Sequence, residues 1–175
     1  MKLTINTSFQ ENASSPFFLI LVDSEQLQKA ATAYEINDLN TLVEAAQFKA
    51  SLTESLPLIG KVAACTNSAL IGIDKAAEIQ PAKLAKIAQT IIKASQKKFK
   101  QISIDISALP PEQHYLFALA LTQASYAFDE YKSKKNDFIL EEIHLVSGNN
   151  SLNAQQLNLI HAVQSGQSLA RDLGN

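Results

Sequence analysis

The chain has 175 residues, of which 46% are hydrophobic and 18% charged, so it is long enough for one domain with a sizeable core. No apolar run approaches the roughly 20 residues that cross a bilayer, and the polar first residues lack the apolar segment of a signal peptide. The net charge of −2 does not favour nucleic-acid binding by the whole chain. We expect one main domain, located in the cytoplasm and without membrane contact.

The first half of the chain mixes strand and helix patterns. Residues 2–8 (KLTINTS) alternate apolar and polar side chains, as a half-buried or edge strand does. Residues 17–23 (FFLILVD) form a continuous apolar run, typical of a strand covered on both faces. Residues 36–48 place apolar side chains at helical spacing. A weaker extended stretch follows around SLPLIGKVA, and residues 69–74 (ALIGID) predict another buried strand.

The second half repeats the alternation. The segment PAKLAKIAQTIIKASQKKF begins with Pro81 near a first-turn position, and its helical pattern puts one apolar face together from Leu84, Ile87, Ala88, Ile91 and Ile92. Residues 101–107 (QISIDIS) alternate as a strand. Asp105 within it is either a buried acid or, as the alternation favours, a solvent-facing position.

A long, mostly apolar helix follows the double proline, and residues 138–147 predict a further strand. The final helix has three candidate N-caps: Asn150, Ser151 and Asn153. Helices that alternate with short apolar strands predict an α/β fold. We expect three layers, α/β/α, with a mainly parallel or mixed sheet and helices on both faces.

The sequence shows no motif for catalysis or metal binding. His114, His144 and His161 fall on separate predicted elements, and none has a partner at metal-ligand spacing. The glycines do not cluster, and GxGxxG, GxxxxGK[ST] and GxSxG are absent. The lone Cys65 cannot form an internal disulfide and is expected to be a small buried side chain. The chain therefore offers no plausible catalytic set of its own.

The middle of the chain is locally basic. Residues 82–135 carry nine lysines and four acids, a net charge of +5. The lysines gather at the ends of two predicted helices, in a first cluster of Lys93, Lys97, Lys98 and Lys100 and a second of Lys132, Lys134 and Lys135. Both clusters should lie along one edge of the sheet, where helices return to strands. They serve either to complement the helix dipoles and keep the edge solvated, which we favour, or to contact phosphates of nucleic acid.

Two motifs resemble the N-terminal domain of the leucyl aminopeptidases, also called cytosol aminopeptidases. The segment QASYAFDEYKSKK is similar to the family's LASYRFDxYKxKK, with matches at Ala124, Ser125, Tyr126, Phe128, Asp129, Tyr131, Lys132, Lys134 and Lys135. ARDLGN is similar to ARDLxN, with matches at Ala170, Arg171, Asp172, Leu173 and Asn175. The element order extends the likeness over the whole chain, although residues 1–65 carry no motif. Gln123 and Ala120 depart from the usual leucine and glycine, which concerns helix packing.

The resemblance implies a macro-domain-like α/β/α N-terminal domain over residues 1–150 and a helix over 151–175 that leads toward a C-terminal catalytic domain. It implies a hexameric metallo-aminopeptidase that removes N-terminal residues from peptides with two divalent metals, zinc or manganese. In the family the metal ligands belong to the C-terminal domain, so no catalytic or metal residue is assigned to this chain. The chain alone is expected to be inactive, with roles in hexamer assembly and possibly, in some bacterial members, DNA contact.

Two alternatives come with this hypothesis. One is a macro-type module that binds ADP-ribose or a related nucleotide; fold-level analogy supports it, and the lack of a glycine-rich loop counts against it. The other is DNA contact through the two lysine clusters. In the last helix, Ala162, Gly166 and Ala170 recur every four residues, so one side stays small and another element can pack closely there.

Overall fold

A computed structural model describes residues 2–6, 17–58, 62, 65, 67–126, 137–148 and 152–174. The strands are β1 (Lys2–Asn6), β2 (Phe18–Val22), β3 (Ser55–Leu58), β4 (Ser68–Gly72), β5 (Gln101–Asp105) and β6 (Glu142–Val146). The helices are α1 (Leu27–Ala33), α2 (Leu39–Ala46), α3 (Pro81–Ser95), α4 (Pro111–Ala124) and α5 (Ala154–Gly174), with a short 3₁₀ turn over Ala76–Glu78.

The strands form one mixed sheet in the order β1, β6, β5, β2, β4, β3. Every neighbouring pair is parallel except β3 and β4, which are antiparallel. The edge strand β3 exposes alternate residues and contains Pro57, as an edge allows because the lost amide donor faces outward. The amino ends of the parallel strands therefore share one edge of the sheet, and their carboxyl ends share the other.

Each face of the sheet has its own hydrophobic cluster. Leu19 and Leu21 of β2 point to the face that carries α3, α4 and α5, where Ile160 of α5 is fully buried. Phe18 and Ile20 point to the opposite face, which α1 and α2 cover. Strand β2 is buried along its whole length for this reason. The expectation of an α/β fold with a mixed sheet and helices on both faces is confirmed.

The structure corrects the assignment of Asp105. Its side chain is 4% exposed, so it is a buried acid rather than the solvent-facing position that the alternation favoured. Strand β5 lies between β6 and β2 in the sheet, and Ser103 beside Asp105 is buried as well. The alternation in QISIDIS thus marks two different buried faces, one apolar and one with small polar side chains.

The helix α1 is the element that the sequence patterns did not indicate, since it has seven residues and none of them is fully buried. The prediction for α2 was longer than the observed helix, which begins at Leu39. At α5, Asn153 is the N-cap: its Oδ1 accepts the Gln156 amide at 2.9 Å, and Gln156 Oε1 accepts the Asn153 amide at 2.9 Å. The other two candidates, Asn150 and Ser151, lie outside the described residues.

Candidate functional site

A cleft of about 280 Å³ opens at the carboxyl ends of β2 and β5. The chain leaves β2 toward α1 on one face of the sheet and leaves β5 toward α4 on the other face. Open α/β sheets bind ligands in the crevice that such a divergence creates. The lining comprises the ends of both strands and the inner side of α1, including Asp23, Gln26, Lys29, Tyr34 and Asp105.

Both acids in this cleft are occupied by the protein's own donors. Asp23 accepts the Glu25 amide at 2.7 Å and the Ala76 amide at 2.6 Å, so it ties the end of β2 to the loop that follows β4. Asp105 accepts the Ser107 amide at 2.8 Å with one oxygen. A buried carboxylate is tolerated when such donors replace its lost hydration. These acids therefore hold loops in place.

Tyr34 connects α1 to β5 at the floor of the cleft. Its hydroxyl donates to Asp105 Oδ2 at 2.8 Å, and its ring packs edge-on against Phe18 with 5.1 Å between ring centroids. Burial, together with the negative charge of Asp105, raises the pKa of the Tyr34 hydroxyl far above its usual value. Tyr34 thus stays protonated and acts as a hydrogen-bond donor rather than as a base.

The histidines lie apart, as the sequence predicts. His114 is buried on α4, and its Nε2 donates to the Leu109 carbonyl at 3.0 Å; burial lowers its pKa. His161 is half-buried on α5. Cys65 is 5% exposed, which confirms the expected burial, and burial raises the pKa of its thiol. Within the described residues, no three His, Cys, Asp or Glu side chains converge as a metal site would require.

His144 stands between a hydroxyl and a carboxylate. Thr4 Oγ1 lies 2.6 Å from its Nδ1, and Glu142 Oε2 lies 3.5 Å from its Nε2. The order imitates a nucleophile, base and acid, but nucleophilic catalysis also needs donors that point at the developing oxyanion. Here all three side chains stand on a sheet face, while the neighbouring amides lie in the plane of the parallel ladder between β1 and β6. The arrangement is a polar cross-strand contact.

The first lysine cluster lies at the opposite edge of the sheet, where the parallel strands begin. Lys93 is in the last turn of α3, and Lys97, Lys98 and Lys100 occupy the connection to β5. All four are exposed. Lys97 Nζ lies 5.9 Å from the centre of the Phe138 ring, a neighbour that the sequence did not indicate. The second cluster, Lys132, Lys134 and Lys135, lies outside the described residues.

Acidic groups interrupt this basic edge. Asp137 and Glu141 are exposed beside it, and the Glu141 amide donates to the Lys100 carbonyl at 2.8 Å. Glu142 receives Lys2 at 3.5 Å and the Gln101 side-chain amide at 2.7 Å. The structure therefore places positive and negative side chains together, and the first cluster alone is a mixed rather than a uniformly positive surface.

The two resemblance motifs meet in space. The guanidinium carbon of Arg171, in the ARDLGN motif, lies 5.0 Å from the ring centre of Tyr126, in the ASYAFD motif. One turn earlier, the Gln123 side-chain amide donates to Gln167 at 3.2 Å. These contacts join the carboxyl end of α4 to the second half of α5. The motifs thus describe one helix-to-helix junction.

The fold and the geometry define an α/β domain that braces its own sheet and carries its charged groups on one exposed edge. Residues 17–135 match the family model described as the N-terminal domain of the cytosol aminopeptidase family. The chain belongs to the cytosol aminopeptidase family. A probable cytosol aminopeptidase of Acinetobacter baumannii is 58% identical over all 175 residues, which are 36% of that protein. The chain thus spans about a third of the curated relatives it matches.

Solved structures agree on the fold. A mutant of tomato leucine aminopeptidase has a TM-score of 0.70 at 13% identity, covering 95% of this chain and 36% of the tomato chain. The bottromycin maturation enzyme BotP in complex with Mn has a TM-score of 0.65 at 15% identity, covering 93% and 32%. Identities this low establish the fold alone. The sequence-based identification of the family is confirmed, while the ADP-ribose alternative gains no support from these comparisons.

Within the described residues, no helix is both long and apolar enough to cross a membrane. The two lysine clusters remain predictions, as does the division between residues 1–150 and 151–175. Sequence reasoning missed the cleft. Asp23 and Asp105 were visible as acids that end apolar strands, and Tyr34 lies in a segment whose patterns indicated no element.

Proposed function

We propose that this chain is the non-catalytic N-terminal domain of a cytoplasmic leucyl aminopeptidase that removes N-terminal residues from peptides. The match of residues 17–135 to the family's N-terminal domain carries this proposal. The share of 36% in the A. baumannii relative supports it, because most of that protein lies beyond the aligned part. Residues 1–150 would form the domain proper, and residues 151–175 would lead toward the catalytic domain.

The whole enzyme would use two divalent metals, zinc or manganese, bound by its catalytic domain. A structural neighbour in complex with Mn supports metal dependence. This chain would supply no metal ligand. Its contribution would be to assemble the enzyme, with a hexamer as the expected state.

Peptidase activity tests the proposal. The 175-residue chain should hydrolyse no leucyl substrate in the presence of Mn²⁺ or Zn²⁺. A chimera in which it replaces the aligned part of the A. baumannii enzyme should be active and should form the same oligomer as that enzyme, as sedimentation analysis would show. Chelator-sensitive hydrolysis by the 175-residue chain alone would contradict the proposal, and so would a chimera that does not fold.

DNA contact is a second proposed role, carried by the exposed lysines at the amino edge of the sheet. Binding through phosphates should weaken steeply with salt. Replacing Lys97, Lys98, Lys134 and Lys135 with glutamate in the chimera should abolish a shift in DNA mobility. The matched control replaces Lys29 and Lys49, which are exposed elsewhere. A shift that survives the first set of replacements would assign the edge to solvation alone.

A further inference from the structure

The helix α5 has two apolar sides, and only one of them is covered by the described residues. Ile160 is fully buried in the core, with Leu157 packed beside it. Leu159, Leu169 and Leu173 are 53%, 61% and 80% exposed. At 100° per residue, Leu169 lies on the opposite side of the helix from Ile160. An amphipathic helix on a domain surface normally turns polar side chains outward, so this second apolar side departs from the rule.

The exposed side forms one continuous strip, which we call the leucine stripe. It contains Leu159, Ala162, Gly166, Leu169, Ala170 and Leu173, within an arc of about 100°. A Cβ placed on Gly166 would meet nothing within 4 Å, so the centre of the stripe is open. Small side chains between leucines let a partner helix approach closely while the leucines pack on either side. The stripe thus has the shape and chemistry of one half of a helix-packing interface.

The stripe is also firmly mounted. The other sides of α5 are held by Ile160 in the core and by the contacts of Arg171 and Gln167 with α4. Exposure of the leucines increases toward the carboxyl end of the helix, from 53% at Leu159 to 80% at Leu173. The uncovered surface is therefore largest where α5 reaches the end of the region that aligns with the relatives.

We propose that the leucine stripe is the face on which the C-terminal domain of the whole enzyme docks. The occupant is chosen from the alignment: the chain matches an N-terminal domain and 36% of the A. baumannii relative, so in that protein the remaining length continues directly after α5. A segment that follows a helix is held near its end and meets the exposed leucines at high effective concentration. The inference rests on the proposed function. It makes α5 a shared beam, with one side in each domain.

The test compares the same substitutions in two proteins. Leu169→Glu with Leu173→Glu should change the Tm of the 175-residue chain by less than about 2 °C, since both side chains face water there. In the chimera with the A. baumannii enzyme, the pair should lower the Tm by roughly 5 °C or more and split a single unfolding transition into two. The control pair is Asn158→Glu with Ser165→Glu, two exposed polar positions on the same helix, which should leave both proteins unchanged.

Chemical labelling gives a second readout that tolerates a weakened fold. Leu169→Cys should react rapidly with a thiol reagent in the 175-residue chain and at least tenfold more slowly in the chimera, whereas Ser165→Cys should react at similar rates in both. An active chimera whose Leu169→Cys stays fully reactive overturns the inference and leaves the proposed function standing. A chimera that does not fold contradicts the proposed function itself. If the stripe substitutions instead dissolve an oligomer of the 175-residue chain and leave the chimera unchanged, the occupant is a second copy, and the proposal is wrong.

Discussion

The two edges of the sheet use charge in opposite ways. At the carboxyl edge, Asp23 and Asp105 are buried, and each accepts two hydrogen bonds from the protein. At the amino edge, lysines such as Lys97 and Lys98 are exposed to solvent. Charges at the first edge are components of the fold, because removing a donor leaves a buried carboxylate unsatisfied. Charges at the second edge can be exchanged cheaply, so this is the edge that evolution can adapt to a partner.

The contrast predicts that the carboxyl edge will tolerate substitution poorly. Gly72 ends β4, and a Cβ there would overlap the backbone of Ala50 and Ser51, which cross the strand end. Gly72→Ala should therefore lower the free energy of unfolding by about 3 kcal/mol, since backbone must move to make room. Urea unfolding of the 175-residue chain measures this effect.

Gly166→Ala is the matched control. The same methyl group meets open space on α5, and alanine is a better helix former, so the variant should gain about 0.5 to 1 kcal/mol. If both glycine replacements cost the same, the close approach at the carboxyl edge does not constrain the fold.

The next largest effect concerns the hydroxyl of Tyr34. Tyr34→Phe removes the donor to Asp105 Oδ2 and should cost about 1 to 3 kcal/mol, because Asp105 stays buried with one partner fewer. Tyr115→Phe, at a half-buried tyrosine of α4, should change stability by less than about 0.5 kcal/mol. Equal unfolding midpoints for the two variants would show that Asp105 does not depend on this bond.

The strength of each sequence pattern explains what could be predicted. The apolar face of α3 was assigned correctly from period alone, since Leu84, Ile87 and Ile91 are all buried in the core. The family was identified from the motifs that meet at Arg171 and Tyr126. Strongly periodic segments and local motifs are visible in the chain because their information is local.

The cleft could not be predicted in the same way. Its acid Asp105 and its donor Tyr34 are 71 residues apart, and no spacing rule connects them. The short helix α1 that carries Tyr34 to Asp105 has no fully buried residue, so it leaves a weak periodic signal. Asp105 itself was misassigned because a strand with one apolar and one small polar buried face alternates just as a half-exposed strand does.

A smaller effect comes from pH. Burial lowers the pKa of His114 below its ordinary 6.5, so the unfolded chain binds this proton more readily than the folded one. The stabilising contribution is complete above pH 6.5 and is lost as the pH falls toward the lowered folded value, with a slope of at most about 1.4 kcal/mol per pH unit. Urea midpoints between pH 7.5 and 5 should show this slope, and His114→Gln should reduce it. An unchanged slope would mean that another group titrates.

The smallest effects should occur at the amino edge. Lys97→Glu with Lys98→Glu should change the free energy of unfolding by less than about 0.5 kcal/mol, since both side chains are exposed. Lys93→Glu should cost about 0.3 to 1 kcal/mol at low salt, because Lys93 lies in the last turn of α3 and complements its dipole, and 0.5 M salt should largely remove that cost. Unfolding curves at both salt concentrations separate the two roles. A loss above about 1.5 kcal/mol that persists in salt would show that the amino edge is as structural as the carboxyl edge, and a partner would then have no exchangeable charge to select.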